Sequence, residues 1–78
     1  MIEVRITEPR RGFTLGKTYK VESFAYCTRI GMCLYIPNDD GNKYKNEARI
    51  FEVVSGQELY EKLILKAYAT DEYVHCPR

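Results

Sequence analysis

The strongest constraint on the fold is an alternation of apolar residues beside a turn, within residues 31–54. Successive side chains of a strand point to opposite faces, so the alternating apolar residues share one face: Met32, Leu34 and Ile36. The sequence Asn-Asp-Asp-Gly at 38–41 then predicts a reversal, because Asn and Asp bond to nearby backbone and Gly tolerates positive φ. The chain returns along a long arm through Tyr44 and the apolar run at 50–54. We therefore predict a β-hairpin on which the rest of the fold packs.

The same period of two predicts further strands on either side of this hairpin. In the second of them the phase slips, because Tyr19 and Val21 face inward whereas Phe24 and Tyr26 fall on the outward parity. A β-bulge near Glu22 would restore burial. We expect five strands, at 2–7, 17–26, 32–37, about 42–46 and 50–54.

A helix is predicted at about 56–68, followed by a tail at 69–78 in which Tyr73 and Val74 either add a short strand or lie over the barrel. Ser55 as the N-cap and Glu58 three residues later match a capping box, in which each residue satisfies a free backbone N–H of the first turn. The apolar residues of the segment fall on one half of the helical wheel, apart from Leu65.

Five short strands and one helix predict an α+β fold, mainly β, in a single domain of 78 residues. So small a sheet buries a core only if it curls or is covered, which favours a small SH3-like five-stranded partly open barrel, at about 1–54, with one C-terminal helix. The expected core residues alternate along the strands: Ile2, Val4, Ile6, Tyr19, Val21, Leu34, Ile36, Phe51 and Val53.

Three stretches carry a resemblance to a known group of proteins: Phe13-x-Leu15-Gly16-Lys17-x-Tyr19-x-Val21, then Tyr35-Ile36-x-Asn38-Asp39-Asp40-Gly41, and Phe51-Glu52-Val53-Val54. The region from about 12 to 54 resembles small SH3-like barrel proteins, which are common in bacteriophages and their bacterial hosts. The matching residues are turn and core positions, so the resemblance implies a fold and a phage source but no activity.

The net charge and the cysteines of the chain indicate which partners and which cellular compartment to expect. The chain has 12 basic and 11 acidic residues. Its net charge of +1 creates no overall positive potential that would attract nucleic acid. Its start lacks the basic and apolar regions of a signal peptide, and no stretch reaches the roughly 20 apolar residues of a membrane span. Three cysteines without an export signal predict reduced thiols in a cytoplasm: Cys27, Cys33 and Cys76.

No group of residues predicts a metal, a cofactor or catalysis. The turn acids Asp39 and Asp40 lack the spacing of a calcium loop. A zinc site built from the cysteines and His75 lacks the usual short paired spacing of ligands. The same histidine has no evident Ser or Asp partner, so we expect a protein that is not an enzyme.

Two surfaces are predicted to contact a partner. In the loop at 9–13, Arg10 and Arg11 are close in sequence to Phe13. Such a combination can bind acidic residues of a protein partner, or it can bind a phosphate while the ring stacks on a base. The alternative for Phe13 is packing into the mouth of the barrel. The second surface is an outward aromatic face with Tyr26 and Tyr35, extended by Phe24 and Ile30, which either a partner or the helix would cover.

Together these features predict a non-catalytic protein-binding module whose partner is another protein. A phage source, which the resemblance implies, would make the protein a modulator or inhibitor of a host protein, acting in the host cytoplasm. Two alternatives stay open. One is a small nucleic-acid-binding barrel that uses the basic loop at 9–13, and the other is a self-associating structural protein such as a homodimer.

Overall fold

The computed structural model describes residues 1–70 and 74–75. Within them the fold is α+β and mainly strands, as predicted, with one helix near the C-terminus. In chain order the elements are β1 (Glu3–Ile6), β2 (Thr18–Lys20), β3 (Ser23–Cys27), β4 (Gly31–Pro37), β5 (Lys43–Glu47), β6 (Phe51–Ser55), α1 (Gln57–Thr70) and β7 (Val74–His75). A single 3-10 turn at Ala48–Ile50 precedes β6.

The strands form two antiparallel sheets and no closed barrel among the described residues. One sheet has the order β2-β1-β6, and the other has the order β5-β4-β3-β7. The predicted hairpin is therefore formed by β4 and β5, and its predicted return arm at 50–54 is wrong, because β6 pairs with β1 in the other sheet. The predicted count of five strands is wrong for two reasons. The second predicted strand is divided between the sheets, and Val74–His75 adds a short strand beside β3.

The division of the second predicted strand explains the slip in its alternation. Val21 donates its N–H to the carbonyl of Ile2 in the first sheet, 3.1 Å away, and Glu22 donates its N–H to the carbonyl of Tyr35 in the second, 3.0 Å away. The predicted bulge near Glu22 is therefore a corner at which the chain leaves one sheet for the other. A bulge would have kept β2 and β3 in one sheet.

The core lies between the two sheets and α1, and it contains the predicted residues with two differences. Phe51 and Val53 are half-buried, because β6 is an edge strand in which the other three of its five residues are exposed. The sequence prediction also omitted several fully or nearly fully buried residues: Phe24, Met32, Cys33, Ile50, Leu63, Ala67 and Val74.

The helix begins at Gln57, and its predicted capping box is wrong. Ser55 ends β6, and its hydroxyl donates to Oε1 of Glu3, 3.1 Å away. Gly56 (φ +80°) joins strand to helix, and its carbonyl accepts the N–H of Tyr60 at 2.9 Å. The tethering of Ser55 to β1 removes it from the cap position.

The helix ends at Thr70, two residues beyond the predicted end, so the predicted tail at 69–78 begins later. Tyr73 and Cys76 lie outside the described residues. No helix in the part of the chain that the structure describes is long and apolar enough to cross a membrane.

Candidate functional site

The basic loop at 9–13 is held against the turn that joins β4 to β5. In that turn the side-chain Oδ1 of Asn38 accepts the N–H groups of Asp40, at 2.9 Å, and of Asn42, at 3.0 Å. The N–H of Asp39 then donates across to the carbonyl of Gly12, at 2.8 Å. Gly12 has a φ of +87°, and a Cβ there would lie 2.8 Å from Nδ2 of Asn38. Only glycine therefore allows so close an approach.

The carboxylate of Asp39 is the centre of this contact. Its Oδ1 accepts hydrogen bonds from Nζ of Lys17 at 2.8 Å and from the hydroxyl of Tyr19 at 2.7 Å. Its Oδ2 accepts the hydroxyl of Thr14 at 2.8 Å. The hydroxyl of Tyr19 in turn accepts the N–H of Thr14 at 2.7 Å, so the chain from 14 to 19 is closed on itself and on the turn.

These bonds change the acidity of the carboxyl. The Lys17 ammonium first, and then the hydroxyls of Tyr19 and Thr14, hold the pKa of Asp39 at about 2, below its ordinary value of 3.8. The same hydrogen bond raises the pKa of Lys17. Both Asp39 oxygens are thus engaged by donors of the protein itself, which makes this carboxylate a structural anchor.

Phe13 belongs to the core boundary and not to a free contact surface. Its ring packs edge-on against the rings of Tyr19, at 4.9 Å between centroids, and Phe51, at 5.7 Å. The alternative in which Phe13 tucks into the mouth of the barrel therefore describes its position better than the predicted exposed contact. Its packing adds a second anchor to the loop.

Arg10 and Arg11 remain exposed above these anchors, and neither has an ion-pair partner among the described residues. Arg11 lines an open groove together with Tyr44, which is 58% exposed. The groove is lined by Arg11, Gly12, Asn38, Asp40, Asn42 and Tyr44. It offers the Arg11 cation, the Asp40 carboxylate, amide groups and Tyr44, a mixed set that suits a polar segment of another protein.

The predicted aromatic face with Tyr26 and Tyr35 is wrong. Tyr26 lies opposite Met32 in the β3–β4 pairing, and Tyr35 lies opposite Ser23, so the two tyrosines point to opposite faces of the sheet. Phe24 is buried against Tyr60, and Tyr26 packs on Tyr68, with ring centroids 5.6 and 4.6 Å apart. The helix α1 therefore covers the face that carries Phe24 and Tyr26. Ile30, in the turn before β4, is exposed.

Cys27 and Cys33 share the other face of the same sheet, with Tyr35, and both are free thiols. Burial raises the pKa of the Cys33 thiol. The backbone N–H groups of Arg29 and then Ile30 lower the pKa of Cys27. Among the described residues, no three His, Cys, Asp or Glu side chains come together to hold a metal ion. His75 is exposed at the end of β7.

Asp39 and Tyr44 are the site residues that the sequence prediction missed. The bonds of Asp39 join residues 20 to 25 positions apart, which no local pattern reveals. The one usable signal was that the turn carries two acidic residues. Asn38 and Gly41 suffice for the reversal, so Asp39 was free for another role.

Comparison of the chain with protein-family models, with curated proteins and with solved structures gave no match.

Proposed function

We propose that this chain is a non-catalytic module that binds another protein through the surface formed by Arg10, Arg11 and Tyr44. The observation that carries the proposal is the double anchoring of the basic loop, by the bond from the Asp39 N–H to the carbonyl of Gly12 and by the packing of Phe13. A loop held in one conformation loses little entropy when it binds, and Arg and Tyr are the residues that most often carry binding energy. A surface with two arginines on an anchored loop and an exposed tyrosine therefore has the features expected of a site that binds another protein.

Three nucleophilic groups, the Cys33 thiol and the hydroxyls of Thr14 and Tyr19, are placed as expected for a non-catalytic role, whereas the pKa of the Cys27 thiol is lowered. The thiol of Cys33 is buried and has a raised pKa, which disfavours the reactive thiolate. The hydroxyls of Thr14 and Tyr19 both donate to Asp39, so their protons are engaged in holding the loop.

We also propose that the fold is a modified SH3-like barrel. A barrel of this kind is built from two small sheets that share a strand across a corner, and the chain bends from one sheet to the other at Val21 and Glu22. The first strand lies between β2 and β6, so the two ends of the barrel segment meet in one sheet. By its resemblance to phage-encoded barrels, the protein would act in the cytoplasm of a bacterial host as a modulator or inhibitor of a host protein.

The test is affinity capture from a bacterial lysate with a double charge reversal, Arg10→Glu with Arg11→Glu. We expect capture of the partner to fall at least about tenfold, since buried charge contacts at interfaces contribute 2 kcal/mol or more. The free energy of unfolding should change by less than about 0.5 kcal/mol, because both side chains are exposed and have no ion-pair partner.

The matched control is the same double reversal on the exposed side of α1, Lys62→Glu with Lys66→Glu. It changes the net charge equally and should leave capture intact. Equal loss in both variants would show that only net charge matters and would contradict the proposed surface. Retention of capture in the loop variant would contradict it as well.

A nucleic-acid-binding barrel remains the second candidate because Arg11 and the exposed ring of Tyr44 stand on one groove, as in proteins that stack single-stranded bases. A gel-shift assay with single-stranded DNA and RNA at physiological salt separates the two. Binding below micromolar, steeply weakened by salt and lost in the Arg10/Arg11 variant, would favour this candidate over the protein partner.

Sedimentation equilibrium tests the third candidate, a homodimer.

A further inference from the structure

The strand β5 forms an open edge of the four-stranded sheet. In the order β5-β4-β3-β7, its only partner is β4, and no other strand of the described residues pairs along its outer side. Lys43, Tyr44 and Lys45 are all exposed. An exposed edge of this kind presents unpaired N–H and C=O groups that accept a further strand.

The hydrogen bonds around β4 identify which backbone groups of β5 face outward. Glu22 donates to the carbonyl of Tyr35, so the backbone of Tyr35 faces β3. Backbone groups alternate along a strand, so Leu34 and Ile36 face β5, where their partners are Asn46 and Tyr44.

It follows that the intervening residues of β5 present their N–H and C=O groups to the outside: Lys43, Lys45 and Glu47. The bond from the N–H of Asn38 to the carbonyl of Asn42, 2.9 Å long, fits the same alternation.

The charges along this edge leave an uncompensated cation at its middle. Nζ of Lys43 pairs with Glu22 at 2.8 Å, and Glu47 pairs with Nε of Arg49 at 2.8 Å. Lys45 has no ion-pair partner in the part of the chain that the structure describes. Tyr44 also lines the groove with Arg11, but its side chain lies on the opposite face of the sheet from that of Lys45, so the groove is a separate feature.

We propose that the edge of β5 binds an extended acidic segment of another protein as an added strand. The outward groups of Lys43, Lys45 and Glu47 would form the backbone bonds, and a carboxylate of the segment on the same face of the sheet as Lys45 would pair with its ammonium group. This inference rests on the proposed function, because it names how the partner is held. A second copy of this chain fits less well. When two β5 strands overlap fully in antiparallel pairing, Lys45 of one copy lies opposite Lys45 of the other, and like charges in opposition destabilise a sheet.

The direct test uses the isotope-labelled protein and a synthetic peptide of about eight residues in which Glu and Val alternate, a pattern that forms one charged and one apolar face. We expect the amides of Lys45 and Glu47 to exchange with solvent at least about tenfold more slowly in the complex, because they become donors to the added strand. The same peptide with Lys in place of Glu should not bind. Protection confined to other segments, or no protection at millimolar acidic peptide, would overturn the proposal.

Variants separate the backbone contribution from the charge. Lys45→Pro removes the outward N–H without touching the ladder to β4, and we expect it to weaken peptide binding at least about tenfold. Lys45→Ala removes only the charge and should weaken binding about threefold. The matched control is Lys20→Pro on the edge strand β2 of the other sheet, where the N–H also faces outward because the neighbouring Val21 donates to Ile2. Melting curves confirm that each variant is folded.

The outcomes for the two proposals are distinguishable. Wild-type protein that captures a partner sensitive to Arg10 and Arg11 but does not bind the acidic peptide would overturn the strand addition alone. A dimer in sedimentation equilibrium that Lys45→Pro dissociates would assign the edge to a second copy and overturn the acidic segment. Binding equal in Lys45→Pro and wild type would exclude β5 as the acceptor.

Discussion

Asp39 shows how one side chain determines the position of a loop. It receives donors from three residues that belong to a loop and to β2, and it sits in a turn between two other strands. Its carboxylate is needed in the charged form, because all three partners donate to it. Stability should therefore depend on pH through this group.

The sign follows from the pKa of Asp39, which is about 2 in the folded protein against 3.8 ordinarily. A lowered folded-state pKa stabilises the fold above the unfolded value, and this contribution is lost as the pH falls through the folded value. We expect Asp39→Asn to reduce the unfolding midpoint in urea at pH 6. The difference from wild type should shrink between about pH 4 and about pH 2. A difference that stays constant over this range would contradict the role of the charged form.

The two described cysteines should differ in reactivity. The thiolate is the reactive form of a cysteine. The lowered pKa of Cys27 favours its thiolate, and the raised pKa of the buried Cys33 disfavours its thiolate, so both shifts make Cys27 the more reactive of the two. With Cys76→Ser as background, we expect iodoacetamide to label Cys27 at least about tenfold faster than Cys33 at pH 7.5. Peptide mapping by mass spectrometry measures both rates. Addition of urea should equalise them, and equal rates in the folded protein would contradict the assignment.

At the scale of elements, the start of the helix depends on Gly56 and not on a capping serine. Gly56 has positive φ, and a Cβ at this position would lie 2.5 Å from the carbonyl oxygen of Met1. We expect Gly56→Ala to destabilise the protein by about 1–3 kcal/mol, since an L-residue is strained there and the contact is with backbone.

Ser55→Ala is the matched control for this substitution. It removes an exposed hydrogen bond to Glu3, so its effect should stay within about 0.5 kcal/mol. Urea unfolding followed by circular dichroism measures both variants. A loss of about 1 kcal/mol in Ser55→Ala would restore the N-cap role that the sequence suggested.

At the scale of the whole molecule, the packing of α1 on β3 joins the helix to the sheets. Phe24 is fully buried, lies opposite Leu34 in the sheet and contacts the ring of Tyr60 on α1. We expect Phe24→Ala to cost about 3–5 kcal/mol, a large part of the stability of so small a domain. Leu65→Ala, at a helix residue that is 69% exposed, should change stability by less than about 0.5 kcal/mol.

The same contact predicts that helix and sheets unfold together. The chain has seven tyrosines and no tryptophan, so tyrosine fluorescence reports tertiary packing while circular dichroism at 222 nm reports the helix. We expect both signals to give one midpoint in urea. A helix that melts before the tyrosine signal changes would show that α1 is only loosely docked.

The sequence by itself determined four of the five predicted strands, the turn and the helix, because each depends on local patterns: alternation, Asn-Asp-Asp-Gly, and a helical apolar stripe. The slip in the alternation before Phe24 was also visible in the sequence, although its structural cause was not. Only the tertiary structure decided that the slip is a corner between two sheets, that Ser55 bonds to Glu3, and that Tyr26 and Tyr35 face apart. The physical reason is that these outcomes depend on pairing register and on contacts between distant segments, and a local pattern is compatible with many registers.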